Sequence, residues 1–187
     1  VMGVMMSAII VILSLYEMHT RATHRHSFLT GIFKLSRSHW GMVFAHLGVA
    51  MTVFGIAMSH NFSIEKDVRM REGDSVQILD YNFTFKGLKI TDGANYQGGT
   101  AEIEITRNGK QEAILHAEKR FYNVSKMGMT EAAIDWGFSR DLYAALGEQL
   151  DDGSWGLRLY YKPFIRWIWL GGLFMALGGL LCMLDKR

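Results

Sequence analysis

The stretch from Trp40 to Ser59, WGMVFAHLGVAMTVFGIAMS, holds twenty residues without a charge between His39 and His60. About twenty apolar residues rising 1.5 Å each cross a ~30 Å hydrocarbon core, so this stretch predicts a membrane-spanning helix. One group able to ionise lies inside it, His46. An imidazole is costly in hydrocarbon without a partner, which marks an intramembrane histidine as a functional-site candidate. The plainer reading is a neutral histidine hydrogen-bonded to a neighbouring helix.

At 100° per residue the predicted helix has two faces. Gly41, Ala45, Gly48, Thr52, Gly55 and Ser59 step by three and four, forming a stripe of small residues. Such a stripe lets a second helix approach closely where lipid gives no hydrophobic drive to association. His46 points about 140° from it. His39, Val53 and His60 lie at heptad steps from His46, with Met42, Val49 and Ala50 beside it. His60 stands about 21 Å from His46 along the axis, too far for the two to share one iron.

A chain that is 49% hydrophobic yet 20% charged must gather its apolar residues in runs. Two more are present, Val1–Tyr16 and Trp167–Leu184. The first has no basic lead and no small-residue cleavage site, so it lacks the form of a signal peptide and reads as the second half of a helix. The expected organisation is a partial span (1–16), a basic loop (17–39), a span (40–59), an outer domain (60–164), a last span (165–184) and a tail (185–187). Arg21, Arg25, Lys34 and Arg37 face one acid, Glu17, in the 17–39 loop, and Lys186 and Arg187 follow the last span. The positive-inside rule puts both segments on the cytoplasmic side. Residues 60–164 then lie outside; their sixteen acids against thirteen bases, a net of −3, give no footing for nucleic acid. Cys182 is the sole cysteine, so the outer domain has neither a disulfide nor a thiol metal site.

Within the basic loop, Phe28, Ile32 and Leu35 share a face in SFLTGIFKLSRS, a pattern suited either to a short helix at the lipid surface or to a solvated basic loop. His19, His24 and His26 crowd that loop at spacings that match no metal motif. From Asn61 to Lys162 the pattern changes to period-2 alternation between turn residues, which means strands: 64–70, 75–79, 82–90, 101–107, 111–117, 121–124 and 156–161. Asn108-Gly109 is the strongest hairpin signal, because both turn positions need positive φ. Asp141–Gln149, DLYAALGEQ, reads as a helical turn. The fold class is thus an α+β membrane protein: transmembrane helices plus a small antiparallel β barrel or sandwich. Lys162, Arg166, Trp167 and Trp169 open the last span with an interfacial belt, and Gly172, Ala176 and Gly179 repeat the small-residue stripe.

No nucleophile–base set, phosphate loop or paired carboxylate stands out, so no catalytic residue is assigned. Most of the twelve methionines lie in the spans, where they read as packing residues. His116 and Tyr122 sit in strand-like sequence. Asp135, Trp136 and Phe138 form an apolar and charged loop suited to docking a partner, or tucked against the domain. For His46 a proton relay needs further acids or histidines in the spans, and none is seen there. A metal or haem ligand needs a partner from another helix at similar depth.

HWGMVFAHLGVAMTVFGIAMS, REGDSV, NFTFKGLKI, NVSKMGMTEAAIDWGFSRDLYAALGEQ and WGLRLYYKPFIRWIWLGG together resemble the C-terminal part of the CcmF family, over essentially the whole chain. That family is the membrane subunit of the bacterial cytochrome c haem lyase; a close relative serves nitrite-reductase maturation. The resemblance implies a bacterial inner-membrane protein with a periplasmic domain at 60–164, and a haem b held by two histidines from different helices. The AHLG context corresponds to His46. The second ligand and the substrate-haem site of the family match no position here. The implied reaction attaches haem to the cysteines of apocytochrome c, with a haem carrier protein and other maturation subunits as partners and membrane lipid around the spans. The competing reading is a membrane-anchored scaffold with a partner-binding outer domain.

Cysteines placed at Ser27 and Ser63 test the topology. A membrane-impermeant thiol reagent added to intact cells labels only the Ser63 position; labelling at Ser27 alone reverses the orientation.

Overall fold

The computed structural model describes residues 1–24 and 27–185; Arg25 and His26 of the basic loop, and Lys186 and Arg187 of the tail, lie outside the described residues. The chain divides into two compact units, Val1–Phe62 with Pro163–Arg187, and Ser63–Lys162. The first is helical: α1 (Met2–Thr23), α2 (Phe28–Ile32), α3 (Arg37–Phe62) and α4 (Ile165–Met183). α1, α3 and α4 are each long and apolar enough to cross a membrane. The second unit is antiparallel β throughout, so the α+β class expected from the sequence holds.

α3 and α4 meet backbone to backbone. A methyl group added at Gly48 would stand 2.6 Å from the carbonyl oxygen of Gly171, and one at Gly41 2.5 Å from that of Gly178. Only glycine permits this approach, and the α3 stripe is the one the sequence marked. Thr52 Oγ1, on the same stripe, donates to the Ile168 carbonyl at 3.4 Å. At one end of the pair Phe54 stands edge-on to Phe164, ring centroids 5.2 Å apart. Phe164 caps α4 in the left-handed region (φ 52°), and its ring also packs edge-on against Trp167. On α4 the contact stripe differs from the expected one. Gly171 and Gly178 face α3, whereas a methyl at Gly172 or Gly179 would meet open space. The glycines come in doublets, so two adjacent stripes look alike; Trp169, three residues before Gly172, projects on that outer side and is exposed.

α1 packs on another face of α3. The Ser7 hydroxyl, buried, donates to the Ala50 carbonyl at 2.8 Å, and Gly3 lies against Ala57. α1 also runs seven residues past the apolar run, to Thr23. No glycine or proline stops it, and Glu17 and Arg21 pair at i,i+4 (2.9 Å), which favours the helix. Part of the expected 17–39 loop is therefore helix. α2 forms with Ile32 and Leu35 half-buried, while Leu29 and Phe33 are exposed.

The β unit pairs β1 (Ile64–Met70), β9 (Trp155–Pro163), β8 (Arg140–Gln149) and β7 (Ala133–Trp136) in the order β1-β9-β8-β7. A second sheet runs β2-β3-β4-β5-β6, from β2 (Ser75–Ile78), β3 (Tyr81–Asp92), β4 (Tyr96–Arg107), β5 (Lys110–Tyr122) and β6 (Gly128–Glu131). Asn108 (φ 51°) and Gly109 (φ 74°) make the β4–β5 turn as the sequence dictates. Gly87 (φ 122°) carries a bulge where the β3–β4 register shifts. Phe83, Phe85, Ile103, Ile105 and Leu115 from the larger sheet, and Met70, Leu142, Leu146, Leu157 and Leu159 from the smaller, form one core.

Two expectations change here. Residues 141–149 are strand, not a helical turn: Leu142, Ala144 and Leu146 alternate into the core, and that burial outweighs the helix propensity of Ala, Leu and Glu. Residues 121–124 form no strand of their own, because β5 runs on through Phe121 and Tyr122 before turning. The four-residue strands β6 and β7 are too short to show a period.

The α4 register has a direct test. Gly171→Leu, which overpacks the α3 contact, destabilises the detergent-purified protein by about 1–3 kcal/mol or more, while Gly172→Leu changes stability by less than about 0.5 kcal/mol. Thermal unfolding followed by tryptophan fluorescence separates them, and equal effects contradict the register.

Candidate functional site

His46 lies on α3 three residues from Val43 and four from Ala50, both buried against neighbouring helices, yet its own side chain is exposed. It opens onto a groove of about 170 Å³ shared with Ile10, Leu13, Ser14 and Glu17 of α1. The groove is apolar towards Ile10 and Leu13 and polar towards Ser14 and Glu17. Small-residue packing against α4 occupies a different face of α3, so the His46 side is left for something bulkier than a close-packed helix.

Glu17 changes the inventory. The sequence reading put it in a loop and found no acid in the spans; the longer α1 brings this carboxylate to the same groove as His46. The signal was in the sequence, as the i,i+4 spacing of Glu17 and Arg21 on a segment with no helix stop. Ser7 and Ser14, one heptad apart and both buried, likewise mark the α1 face turned to α3.

The other histidines stay apart from His46. His39, one heptad earlier and so about 10.5 Å along the axis, is buried, and its Nε2 has no hydrogen-bond partner among the described residues. An unsatisfied buried polar atom costs about 1–3 kcal/mol. His39 lines a separate open cavity of about 530 Å³ with Thr20, Arg21, His24, Lys34 and Ser36. His60 is exposed beyond the apolar part of α3, and His19 stacks near Phe28 at 5.3 Å. His116 is exposed on β5 opposite Glu102, and Tyr122 is edge-on to Tyr96. Among the described residues no three His, Cys, Asp or Glu side chains gather into a metal site. Cys182 sits at the α3–α4 contact beside Gly41.

In the β unit Asp135, Trp136 and Phe138 do not act alike. Trp136 and Phe138 are exposed, and with Val124, Met127 and Met129 they belong to the large apolar side chains left at the surface between β5 and β8. Asp135 instead pairs with Arg140, which also donates to Glu112 Oε1 at 2.6 Å and to Tyr81 Oη at 3.1 Å. The Arg140 guanidinium lies 5.1 Å from the Tyr81 ring centroid, and Tyr81 in turn packs on Tyr161. Burial works against the Arg140 charge, but the hydrogen bonds to Tyr81, Asp135 and Glu112 outweigh it and hold the arginine above its usual pKa.

Three helices long and apolar enough to span a membrane, joined through the sequence to an antiparallel β unit, define a membrane protein with a β domain. Residues 61–163 match the family model described as the CcmF C-terminal beta-sandwich. The chain belongs to the CcmF family. It is 66% identical over its full length to "Cytochrome c-type biogenesis protein CcmF" of Haemophilus influenzae, covering 29% of that protein. It is 54% identical, again over its full length, to the protein of the same name from Escherichia coli, covering 28% of it. The chain thus spans less than a third of these relatives. A solved structure titled "Cytochrome c Heme Lyase CcmF" shares the fold, with a TM-score of 0.68 at 19% identity over 95% of this chain and 34% of that one.

Replacing Arg140 by methionine leaves Asp135 and Glu112 facing each other across an apolar site. The expected loss is about 2–3 kcal/mol, below the ~3–5 of a fully buried pair because the two carboxylates are 28% and 32% exposed. Urea unfolding of a fragment spanning 61–163 measures it, and a change under about 0.5 kcal/mol shows the network to be peripheral.

Proposed function

We infer that this chain is the C-terminal portion of a haem lyase subunit in cytochrome c maturation, in which His46 is one axial ligand of a haem b within the membrane. The observation that carries the reading is His46 itself: an exposed imidazole on a helix of membrane-spanning length, turned away from the glycine contact and into a groove that α1 leaves open. A ring held on a rigid helix with unfilled space beside it suits an axial ligand. His39 and His60 lie about 10.5 and 21 Å away along the axis, so the second ligand comes from another part of the whole protein.

The bound haem supplies one-electron chemistry that keeps the substrate haem iron reduced. The residues of this chain do the positioning. His46 would present one ring nitrogen to the iron, and Ser14 or Glu17, which line the same groove, would offer an acceptor oxygen to its other N–H. Such a bond would select the tautomer and raise the basicity of the ligand nitrogen. Ile10 and Leu13 keep water from the apolar side. Counting from Trp40 puts His46 about 9 Å into a ~30 Å core, in the half nearer the basic loop.

The same reading places residues 17–39 and the tail in the cytoplasm, and 60–164 in the periplasm of a bacterial inner-membrane protein. There the β unit docks partners: the haem carrier protein, apocytochrome c and other maturation subunits. Trp136 and Phe138, and Val124, Met127 and Met129 in the same stretch of sequence, are exposed large apolar side chains of the kind typical of interfaces. The covalent step, thioether formation at the cysteines of the apocytochrome, belongs to the whole protein. The scaffold reading, in which His46 merely packs, sits less well with a side chain exposed in an open groove.

His46→Ala in the whole protein removes the membrane haem while leaving the α3–α4 packing intact, as that contact uses another face. Pyridine haemochrome content measures the loss. A full complement of haem with an unchanged six-coordinate spectrum assigns the ligand to another residue and overturns the proposal.

A further inference from the structure

We propose that the β7–β8 turn, with the β2–β3 turn beside it, dips Trp136, Phe138 and Leu79 into the lipid headgroup layer, so that this end of the β unit rests on the membrane surface. The strand register puts both turns and both exits of the chain at one end. Ile64 pairs with Tyr161, so Ser63 and Lys162, the last residues of the β unit before the spans, leave side by side. The β8–β9 hairpin turns at the far end, where the Leu150 N–H donates to the Ser154 carbonyl at 2.8 Å, and β8 therefore begins at the near end. The Tyr143 ring meets that of Tyr160 at 6.2 Å, and Lys162 Nζ lies 5.2 Å from the Tyr143 centroid. Trp136 pairs with Asp141, closer to the exits than Tyr143, and the turn at 137–139 projects past it. Across the β2–β3 turn Ile78 pairs with Tyr81, whose ring lies 6.0 Å from that of Tyr161, which brings Leu79 to the same end.

Chain length fixes the depth of that end. One residue, Ser63, separates α3 from β1, and one, Phe164, separates β9 from α4. The uncharged run of α3 ends at Ser59, leaving His60, Asn61 and Phe62 as helix beyond it. Those residues rise about 4.5 Å at 1.5 Å each, whereas the headgroup layer on each side of the hydrocarbon is ~5–7 Å deep. An end tied to two spans by so little chain has headgroups as its surroundings.

The side chains there suit lipid better than water. A solvated turn favours glycine, proline, asparagine, aspartate or serine. This one reads Trp136-Gly137-Phe138-Ser139, with Trp136 70% and Phe138 73% exposed. Leu79, 52% exposed, holds a left-handed backbone (φ 53°), where glycine or asparagine fits a solvated turn better. Tryptophan, phenylalanine and leucine are side chains that bury at the boundary between headgroups and acyl chains. The exposed apolar side chains of the β unit then divide. β5 starts near the exits, its Lys110 paired with Arg107 and Arg107 with Tyr81, and it runs to Tyr122 at the other end. Val124 and Met127, in the turn that follows, are left for protein partners.

The test uses the whole protein in nanodiscs of phosphatidylethanolamine and phosphatidylglycerol. The photo-crosslinker p-benzoylphenylalanine replaces Trp136, Phe138 or Val124 in turn, and after illumination mass spectrometry of the digested protein identifies what each position has captured. The expected result is a lipid adduct at 136 and at 138 and none at 124, with unchanged gel-filtration profiles. A peptide adduct in place of lipid at either turn position assigns the turn to a protein contact and overturns the proposal. So does an absence of adducts at the turn, or equal capture of lipid at 124. If one turn variant does not accumulate, the other is read alone against 124. The readout needs no haem and touches no residue of the His46 groove, so failure here and failure of the His46 reading are told apart.

Discussion

The approach of Gly48 to Gly171, and of Gly41 to Gly178, fixes the rotation of α3, and the placement of every functional side chain in the helical unit follows from it. In lipid the gain from bringing two helices together comes from dispersion across a close contact, since the tails are as apolar as the side chains. A heptad of glycines concentrates that contact on one line of α3. Once that line is committed to α4, the remaining circumference is assigned: Ala50 and Ala57 receive α1 through Ser7 and Gly3, and His46 is left at the edge of that second contact. A histidine on the glycine line would have wedged the helices apart.

The β unit is organised the opposite way, from volume rather than from a line. Its two sheets bury aliphatic and phenylalanine side chains that need no partner beyond density, whereas its ionic groups pair at the margin. Arg140 is the case where the two regimes meet. With 11% of its side chain exposed it must have its charge matched, and Asp135, Glu112 and the Tyr81 ring do this from three strands or their edges.

How much of this was legible in the sequence depends on whether a pattern had one physical reading or two. The α3 glycine stripe and the Asn108-Gly109 turn had one each, and both stand. The glycine doublets of α4 had two, and choosing between them needed the bulk of Trp169 on the outer side. Residues 141–149 carry good helix formers, yet their alternate positions enter the core, so tertiary burial decided against propensity. His46 was legible as a lone imidazole among apolar residues. Its groove was not, because the groove depends on where α1 ends, and a helix without a glycine or proline stop ends where its last side-chain pairs do.

That late ending gives Glu17 its interest. An unpaired carboxylate near hydrocarbon is costly, but Arg21 one turn on supplies the counter-charge and lies at the exposed end of the helix. The pair lets α1 carry an acid to the rim of the His46 groove while the apolar Ile10 and Leu13 continue below it. If His46 holds iron as proposed, Ser14 and Glu17 would offer polar oxygens on one side of the groove and Ile10 and Leu13 an apolar surface on the other. The same end of α1 then turns Arg21 and His24 towards His39 and Lys34. One polar helix end, seven residues that composition alone would assign to a loop, therefore borders both the His46 groove, through Glu17, and the open cavity beside His39, through Thr20 and Arg21.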